Sequence, residues 1–147
     1  MAESYQALLE RAVNDLLAAF EVNAPPIPVE VMLQRPKPDM WQRVNLSELS
    51  AAFVNVRERY SPRMSIARLL VRYVCRSEWG AVRQLAQFQG DEQAVRIFAR
   101  TLLMPRSLLE ILPESNRNPV TVSYRFEVPE DEARVRLIEL GYSVKSN

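Results

Sequence analysis

The chain has 147 residues, of which 48% are hydrophobic and 25% charged, which is enough apolar material for one compact core but not for two. It contains three glycines, one cysteine and no histidine. This excludes glycine-rich phosphate loops, an internal disulfide, and any catalytic or zinc site that needs an imidazole. The net charge is only +1, although residues 57–106 hold ten arginines against four acids. We therefore expect a single domain over residues 1–147, whose overall charge does not indicate a polyanionic partner.

The N-terminal region predicts one long helix and one short one. Residues 4–20 carry apolar side chains at spacings of three and four, which is typical of an amphipathic helix, and Ser4 is suited to cap it. The prolines within residues 25–28 forbid a helix there, so a short helix can begin only at about Pro28.

The next segment contains the best strand candidate. Residues 34–47 are expected to be irregular, with Met40 and Trp41 covering one side of the core. Residues 51–56, Ala-Ala-Phe-Val-Asn-Val, are rich in β-branched and aromatic side chains and predict a strand. Few other segments compete for strand status, so any sheet is small.

Two core helices are predicted in the middle of the chain. Ser61 and Pro62 are expected to open the first, with Ser61 as its cap, and Gly80 is expected to end it. The second helix follows Asp91, whose carboxylate is suited to cap it, and Pro105 prevents its simple continuation.

The C-terminal region predicts a helical turn at residues 107–112, then helices at 120–126 and 130–140. Gly141 lies where a glycine commonly follows a helix. The pair resembles a helix-turn-helix over about residues 119–141. The predicted fold class is therefore α+β, a mainly helical domain with a small β-sheet and this helix pair at its end.

Arginines recur at every fourth position of the first core helix. Arg68, Arg72 and Arg76 fall on one side of the helix, opposite apolar residues such as Ile66 and Leu70. Like charges at this spacing repel one another. We call these three arginines the arginine ladder. They form either an ordinary polar face or a surface that attracts a carboxylate or phosphate.

Four segments carry a further pattern. Residues 61–67 read Ser-Pro-Arg-Met-Ser-Ile-Ala, and residues 91–105 read Asp-Glu-Gln-Ala-Val-Arg-Ile-Phe-Ala-Arg-Thr-Leu-Leu-Met-Pro. Together with the candidate strand at 53–55 and the ending at 126–141, they resemble the ImmA/IrrE family of HExxH metallopeptidases. In that family the first segment leads into an Ala-His-Glu-x-x-His helix and the second carries the third zinc ligand. The resemblance implies a zincin-like metallopeptidase fold in a prokaryotic or phage protein.

The chain departs from the family pattern at the positions of the zinc ligands and of the general base. The resemblance places Arg68 and Arg72 at the two zinc-binding histidines, Leu69 at the general-base glutamate and Asp91 at the third ligand. A guanidinium has no lone pair for a metal, and leucine cannot accept a proton. We therefore expect no metal, no cofactor and no catalytic residue, and a protein that is not an enzyme. Pairing of Arg68 or Arg72 with Asp91 is expected to replace the zinc charge.

Three functions then compete. The first is a catalytically inactive module that binds a protein or peptide, linked through the resemblance to a repressor-type transcription regulator. The second is nucleic-acid binding by residues 119–141 through Arg134 and Arg136. It is disfavoured because residues 119–147 hold five acids against four basic groups. The third is a non-metal enzyme or sensor that holds an anionic ligand at the arginine ladder.

The expected location is the cytoplasm. No run of 18 apolar residues is present, which argues against a spanning helix and a membrane partner. The polar start, Met-Ala-Glu-Ser, argues against a cleaved leader. The single cysteine, Cys75, is consistent with a reducing compartment. The oligomeric state is left open by the sequence.

Overall fold

The computed structural model describes residues 4–44 and 60–144. Within these ranges the chain forms helices, turns and irregular segments, and no strand. The mainly helical architecture is thus confirmed, whereas the predicted strand at 51–56 lies outside the described residues. None of the described helices is both long and apolar enough to cross a bilayer.

The helices are short and follow one another closely after residue 60. They are α1 (Tyr5–Ala19), α2 (Val29–Gln34), α3 (Ser61–Arg76), α4 (Glu78–Val82), α5 (Glu92–Leu103), α6 (Arg106–Glu110), α7 (Pro119–Phe126) and α8 (Glu130–Glu139). Single 3-10 turns lie at Ala86–Phe88 and Glu114–Asn116.

The starts of three helices test the predicted caps. The Ser4 hydroxyl accepts the backbone N–H of Ala7 at 3.1 Å, so the cap of α1 is confirmed. Pro28 occupies the N-cap position of α2, as its missing N–H allows. Ser61 is instead the first residue of α3, and Tyr60 holds the capping position that the sequence assigned to Ser61.

The prediction that Gly80 ends α3 is wrong. The helix ends at Arg76, because Ser77 is extended and its hydroxyl donates to the Val74 carbonyl at 2.7 Å. The same hydroxyl accepts the N–H of Gly80 at 3.0 Å and so caps the next helix, α4. A Cβ at Gly80 would lie 2.0 Å from the Val74 carbonyl oxygen. The glycine therefore permits close packing of α4 on the end of α3.

The core forms around α3, which contacts α2, α4 and α5, while α1 lies against α5. Leu70 of α3 and Phe98 of α5 are both wholly buried. Burial of a side chain of this size contributes about 1.5–3 kcal/mol of transfer free energy. Met40 and Trp41 are partly buried against this core, as the sequence predicted.

Arg63 connects three distant parts of the chain. Its Nη1 donates to both carboxylate oxygens of Glu30 at 3.0 Å, and its Nη2 donates to the Ile27 carbonyl at 2.8 Å. Its Nε donates to the carbonyl of Glu127, in the turn between α7 and α8, at 3.1 Å. One guanidinium thus holds α2, α3 and the C-terminal helix pair together.

Arg136 of α8 is wholly buried. Its Nε donates to the Met104 carbonyl at 2.8 Å, and its Nη2 pairs with the carboxylate of Glu10 on α1. Its Nη1 is buried without an acceptor among the described residues. The side chain therefore joins α8 to α1 and to the end of α5.

The predicted C-terminal helix pair is present as α7 and α8, which pack on each other. Gly141 follows α8 with φ of +82°, as expected for a glycine that ends a helix. Arg100 of α5 holds α8 in place, since it donates to Glu132 at 2.7 Å and to Glu139 at 3.1 Å.

Candidate functional site

The predicted site positions lie on two packed helices. Arg68 and Arg72 are half-buried on α3, and Asp91 is the N-cap of α5. Leu69 is partly buried against the hydrophobic core. The structure thus brings the arginine ladder and the start of α5 together, but it assigns Leu69 to the margin of the core.

The predicted pairing of Arg68 or Arg72 with Asp91 is wrong. The Asp91 carboxylate accepts the N–H of Ala94 at 3.1 Å and caps α5. It forms no ion pair with Arg68 or Arg72. Arg72 pairs with the next residue, with 2.7 Å between its Nη2 and Oε2 of Glu92. Because capping directs Asp91 to the first turn of α5, Glu92 is the carboxylate that meets α3.

Sequence reasoning missed Glu92. The sequence prediction assigned both the cap of α5 and the pairing with Arg68 or Arg72 to Asp91. The preference of aspartate for the capping position was the signal that separated Asp91 from Glu92. Because capping directs the Asp91 carboxylate toward the first backbone N–H groups of α5, the neighbouring glutamate was the better candidate for the arginine.

The surroundings of Glu92 are strongly cationic. The pKa of its carboxyl group is lowered, first by the hydrogen bond from Arg72, then by the Arg72 charge, and further by the charges of Arg96 and Arg68. Side chains of two helices therefore create a positive field at this point, since Arg96 belongs to α5 and the other two arginines to α3.

A cavity of about 280 Å³ adjoins the Arg72–Glu92 ion pair. It is lined by Arg72, Cys75, Arg76, Phe88, Gln89, Gly90, Glu92 and Val95. Cys75, Phe88 and Val95 are buried and form an apolar floor, whereas Arg76 and Glu92 are exposed at the rim. We call this cavity and its rim the arginine cleft.

Cys75 lies in the floor of the arginine cleft with 1% of its surface exposed. Burial raises the pKa of its thiol to about 11, so the sulfur stays protonated at neutral pH. Only the thiolate is an effective nucleophile or metal ligand. Cys75 therefore contributes apolar surface to the cleft.

Arg76 also belongs to an aromatic stack. Its guanidinium carbon lies 4.8 Å from the centroid of the Tyr73 ring, which stacks on Trp41 at 6.3 Å between centroids. The indole N–H of Trp41 donates to the Leu33 carbonyl at 2.8 Å. The third rung of the ladder is thus held by a cation–π contact at the edge of the cleft.

The residues that the nucleic-acid alternative needs are differently placed. Arg136 is wholly buried and bound to Glu10, so it is not available to contact phosphate, which weakens the alternative that the sequence already disfavoured. The exposed side chains of α8 include Val135 and Ile138, with 40% and 60% of their surfaces accessible. A recognition helix presents polar or cationic side chains to bases and phosphates, and these two residues do not.

Within residues 4–44 and 60–144, no three side chains of the types histidine, cysteine, aspartate or glutamate lie close enough to hold a metal ion. Comparison with protein-family models, curated proteins and solved structures gave no match. The resemblance to the ImmA/IrrE metallopeptidases stays a prediction from the sequence motifs.

Proposed function

We propose that this protein is a catalytically inactive, metallopeptidase-like module that binds a segment of a protein or peptide in the arginine cleft. The observation that carries the proposal is the ion pair between half-buried Arg72 and exposed Glu92, beside a cavity with a buried apolar floor. A volume of about 280 Å³ lies just below the range of small-molecule sites, and it suits one or two amino-acid side chains.

The chemistry of the cleft argues against catalysis. A general base works best with a pKa near the working pH, whereas the pKa of Glu92 is shifted downward by Arg72. The Cys75 thiol is protonated and buried, so it is a poor nucleophile. Leu69 cannot accept a proton, and the guanidinium of Arg68 has no lone pair for a metal, at the positions where the resembled peptidases use glutamate and histidine. The side chains of the arginine cleft are therefore suited to binding a ligand and not to catalysing a reaction.

A regulatory role follows from the same resemblance. Members of that family are linked to repressor-type transcription regulators, so we propose a segment of such a regulator as the partner. The basic rim selects an acidic segment by charge complementarity.

Peptide selection tests the proposal. Random peptides displayed on phage are panned against the wild-type protein, and the enriched peptides are measured on Arg72→Glu and Arg76→Glu. Arg125→Glu, at an exposed position on α7, is the matched control. We expect binding to wild type and the control, and loss on both cleft variants because their charge is reversed. Failure to enrich any peptide, or equal binding to all four proteins, contradicts the proposal.

Metal content provides a separate test of the inactive state. We expect elemental analysis of the purified protein to find far less than one zinc per chain, and EDTA to leave the melting temperature unchanged. Stoichiometric zinc whose removal lowers the melting temperature contradicts a non-metal site.

A further inference from the structure

The arginine cleft carries more positive than negative charge. Arg68, Arg72 and Arg96 all act on the carboxylate of Glu92, and Arg76 lines the same cavity. The other carboxylate at the start of α5, Asp91, accepts a backbone N–H as the helix cap. Counting both Glu92 and the capping Asp91, two carboxylates stand against four guanidinium groups, and this excess of positive charge favours the entry of a further anion.

Several N–H donors of Arg72 have no acceptor among the described residues. It makes a single hydrogen bond to Glu92, through Nη2, and no other within residues 4–44 and 60–144. Arg63, by contrast, directs Nη1 to both carboxylate oxygens of Glu30 and uses its remaining nitrogens on two carbonyls. A guanidinium has five N–H donors and prefers to hold a carboxylate with two of them. Among residues 4–44 and 60–144, Arg72 thus has N–H donors that no protein acceptor uses and that a ligand could take from water.

The ion pair that holds Arg72 is also weak. The side chains of Arg72 and Glu92 are 41% and 64% exposed, and ion pairs as exposed as this are readily replaced in water. Glu92 stands at the rim of the cavity whose floor includes Phe88 and Val95. Its carboxylate occupies the place beside Arg72 that the carboxylate of a bound partner would take.

We infer that Glu92 is an internal competitor for the ligand of the arginine cleft, and that this ligand is a carboxylate next to an apolar side chain. The carboxylate displaces Glu92 from Arg72, while the apolar group enters the cavity above Phe88 and Val95. This inference rests on the proposed binding function and adds the chemical class of the ligand and the residue that limits its affinity.

Peptide libraries with one fixed residue test the inference. Three C-terminally amidated libraries of random sequence carry a central Glu, Gln or Lys, and a fourth, with central Gln, ends in a free carboxylate. This separates side-chain from terminal carboxylates. Retention is measured on immobilised wild-type protein, Glu92→Gln, Arg72→Gln and the control Glu130→Gln, an exposed residue of α8. Melting curves confirm that every variant is folded.

We expect a carboxylate library to be retained above the Gln and Lys amide libraries. Retention is expected to rise about two- to fivefold on Glu92→Gln, because an exposed competing pair is removed, and to be lost on Arg72→Gln. Glu130→Gln is expected to match wild type.

The failing outcomes are separable. Equal retention on wild type and Glu92→Gln, with loss on Arg72→Gln, contradicts the role of Glu92 as a competitor and leaves the proposed binding function intact. Retention of the central-Glu library and of the free-carboxylate library no higher than that of the Gln amide library overturns the carboxylate class alone. No retention of any library on any protein contradicts both the inference and the proposed function.

Discussion

Arg136 keeps a full charge in a wholly buried position, since a guanidinium retains its proton at ordinary pH. The carboxylate of Glu10 compensates that charge, and the Met104 carbonyl accepts a second hydrogen bond. Nη1 finds no acceptor among the described residues. Both charges lose water on folding, so the pair adds little net stability. Each buried charge nevertheless needs the other, because either one alone would be unpaired.

Replacing one partner should expose this dependency. We expect Arg136→Met to lower the free energy of unfolding by about 3–5 kcal/mol, because it leaves the largely buried Glu10 carboxylate unpaired. Urea denaturation provides the measurement. The exposed Arg125→Met should change stability by less than about 0.5 kcal/mol. The double variant Glu10→Met, Arg136→Met should recover part of the loss, and a single variant as stable as wild type would contradict this account.

The thiol of Cys75 is expected to be unreactive in the folded protein. Its raised pKa, about 11, keeps it protonated at pH 8, and burial blocks access. Ellman's reagent at pH 8 should therefore react slowly with native protein and rapidly in guanidinium chloride. Because a raised pKa means that the thiolate forms only at high pH, the native rate should climb above pH 10. Fast labelling at pH 8 would show that the arginine cleft opens to its floor.

At the scale of elements, Gly80 is the residue on which the junction of α3 and α4 depends. We expect Gly80→Ala to lower the free energy of unfolding by about 4 kcal/mol or more, since its Cβ would meet a backbone oxygen at 2.0 Å. Gly90→Ala is the comparison, because φ is +79° there but nothing lies within 4 Å of an added Cβ. Backbone strain alone should reduce its stability by about 1–2 kcal/mol. Equal losses in thermal denaturation would refute the clash.

Helix caps could be predicted from the sequence, whereas the packing at a helix junction could not. Ser4 and Asp91 were predictable as caps because a capping hydrogen bond spans only three residues. Gly80 was misjudged because it permits a close approach between two helices. In the sequence, a glycine with this role looks the same as a glycine that ends a helix. The predicted strand at 51–56 is outside the described residues.

The candidate site shows the same division. Periodicity placed Arg68 and Arg72 on one face of α3, and the structure brings them to the start of α5. The capping preference of aspartate favours Glu92 over Asp91 as the partner, but which arginine Glu92 meets depends on side-chain direction, which no spacing rule supplies. The buried state of Arg136 was equally invisible, because its acceptors lie on α1 and after α5.

At the scale of the whole molecule, Arg63 makes the N-terminal segment and the C-terminal helix pair depend on each other. Its contacts with Glu30, Ile27 and Glu127 join residues more than 30 positions away in either direction. Local helix propensity contributes nothing to such an arrangement. Its loss should therefore be felt at sites distant from residue 63.

We expect Arg63→Gln to reduce stability by about 1.5–3 kcal/mol, because hydrogen bonds to a charged group are lost. Hydrogen exchange should also show faster exchange in α7 and α8, although residue 63 lies on α3. Arg106→Gln is the matched control, since its ion pair with Glu110 is 4.0 Å long and about half exposed. An effect of Arg63→Gln confined to α3 would contradict the connection.

The stack of Trp41, Tyr73 and Arg76 gives the cleft an optical signal of its own. The chain has two tryptophans, and only Trp41 stacks on a tyrosine that also touches a cleft arginine. Because Arg76 rests on the Tyr73 ring and that ring stacks on Trp41, we expect a ligand that shifts Arg76 and Tyr73 to change the emission of Trp41. Trp79, which lies 3.7 Å from the Arg83 guanidinium, supplies a constant background that Trp79→Phe removes. We therefore expect intrinsic fluorescence to report occupancy of the cleft without any attached dye.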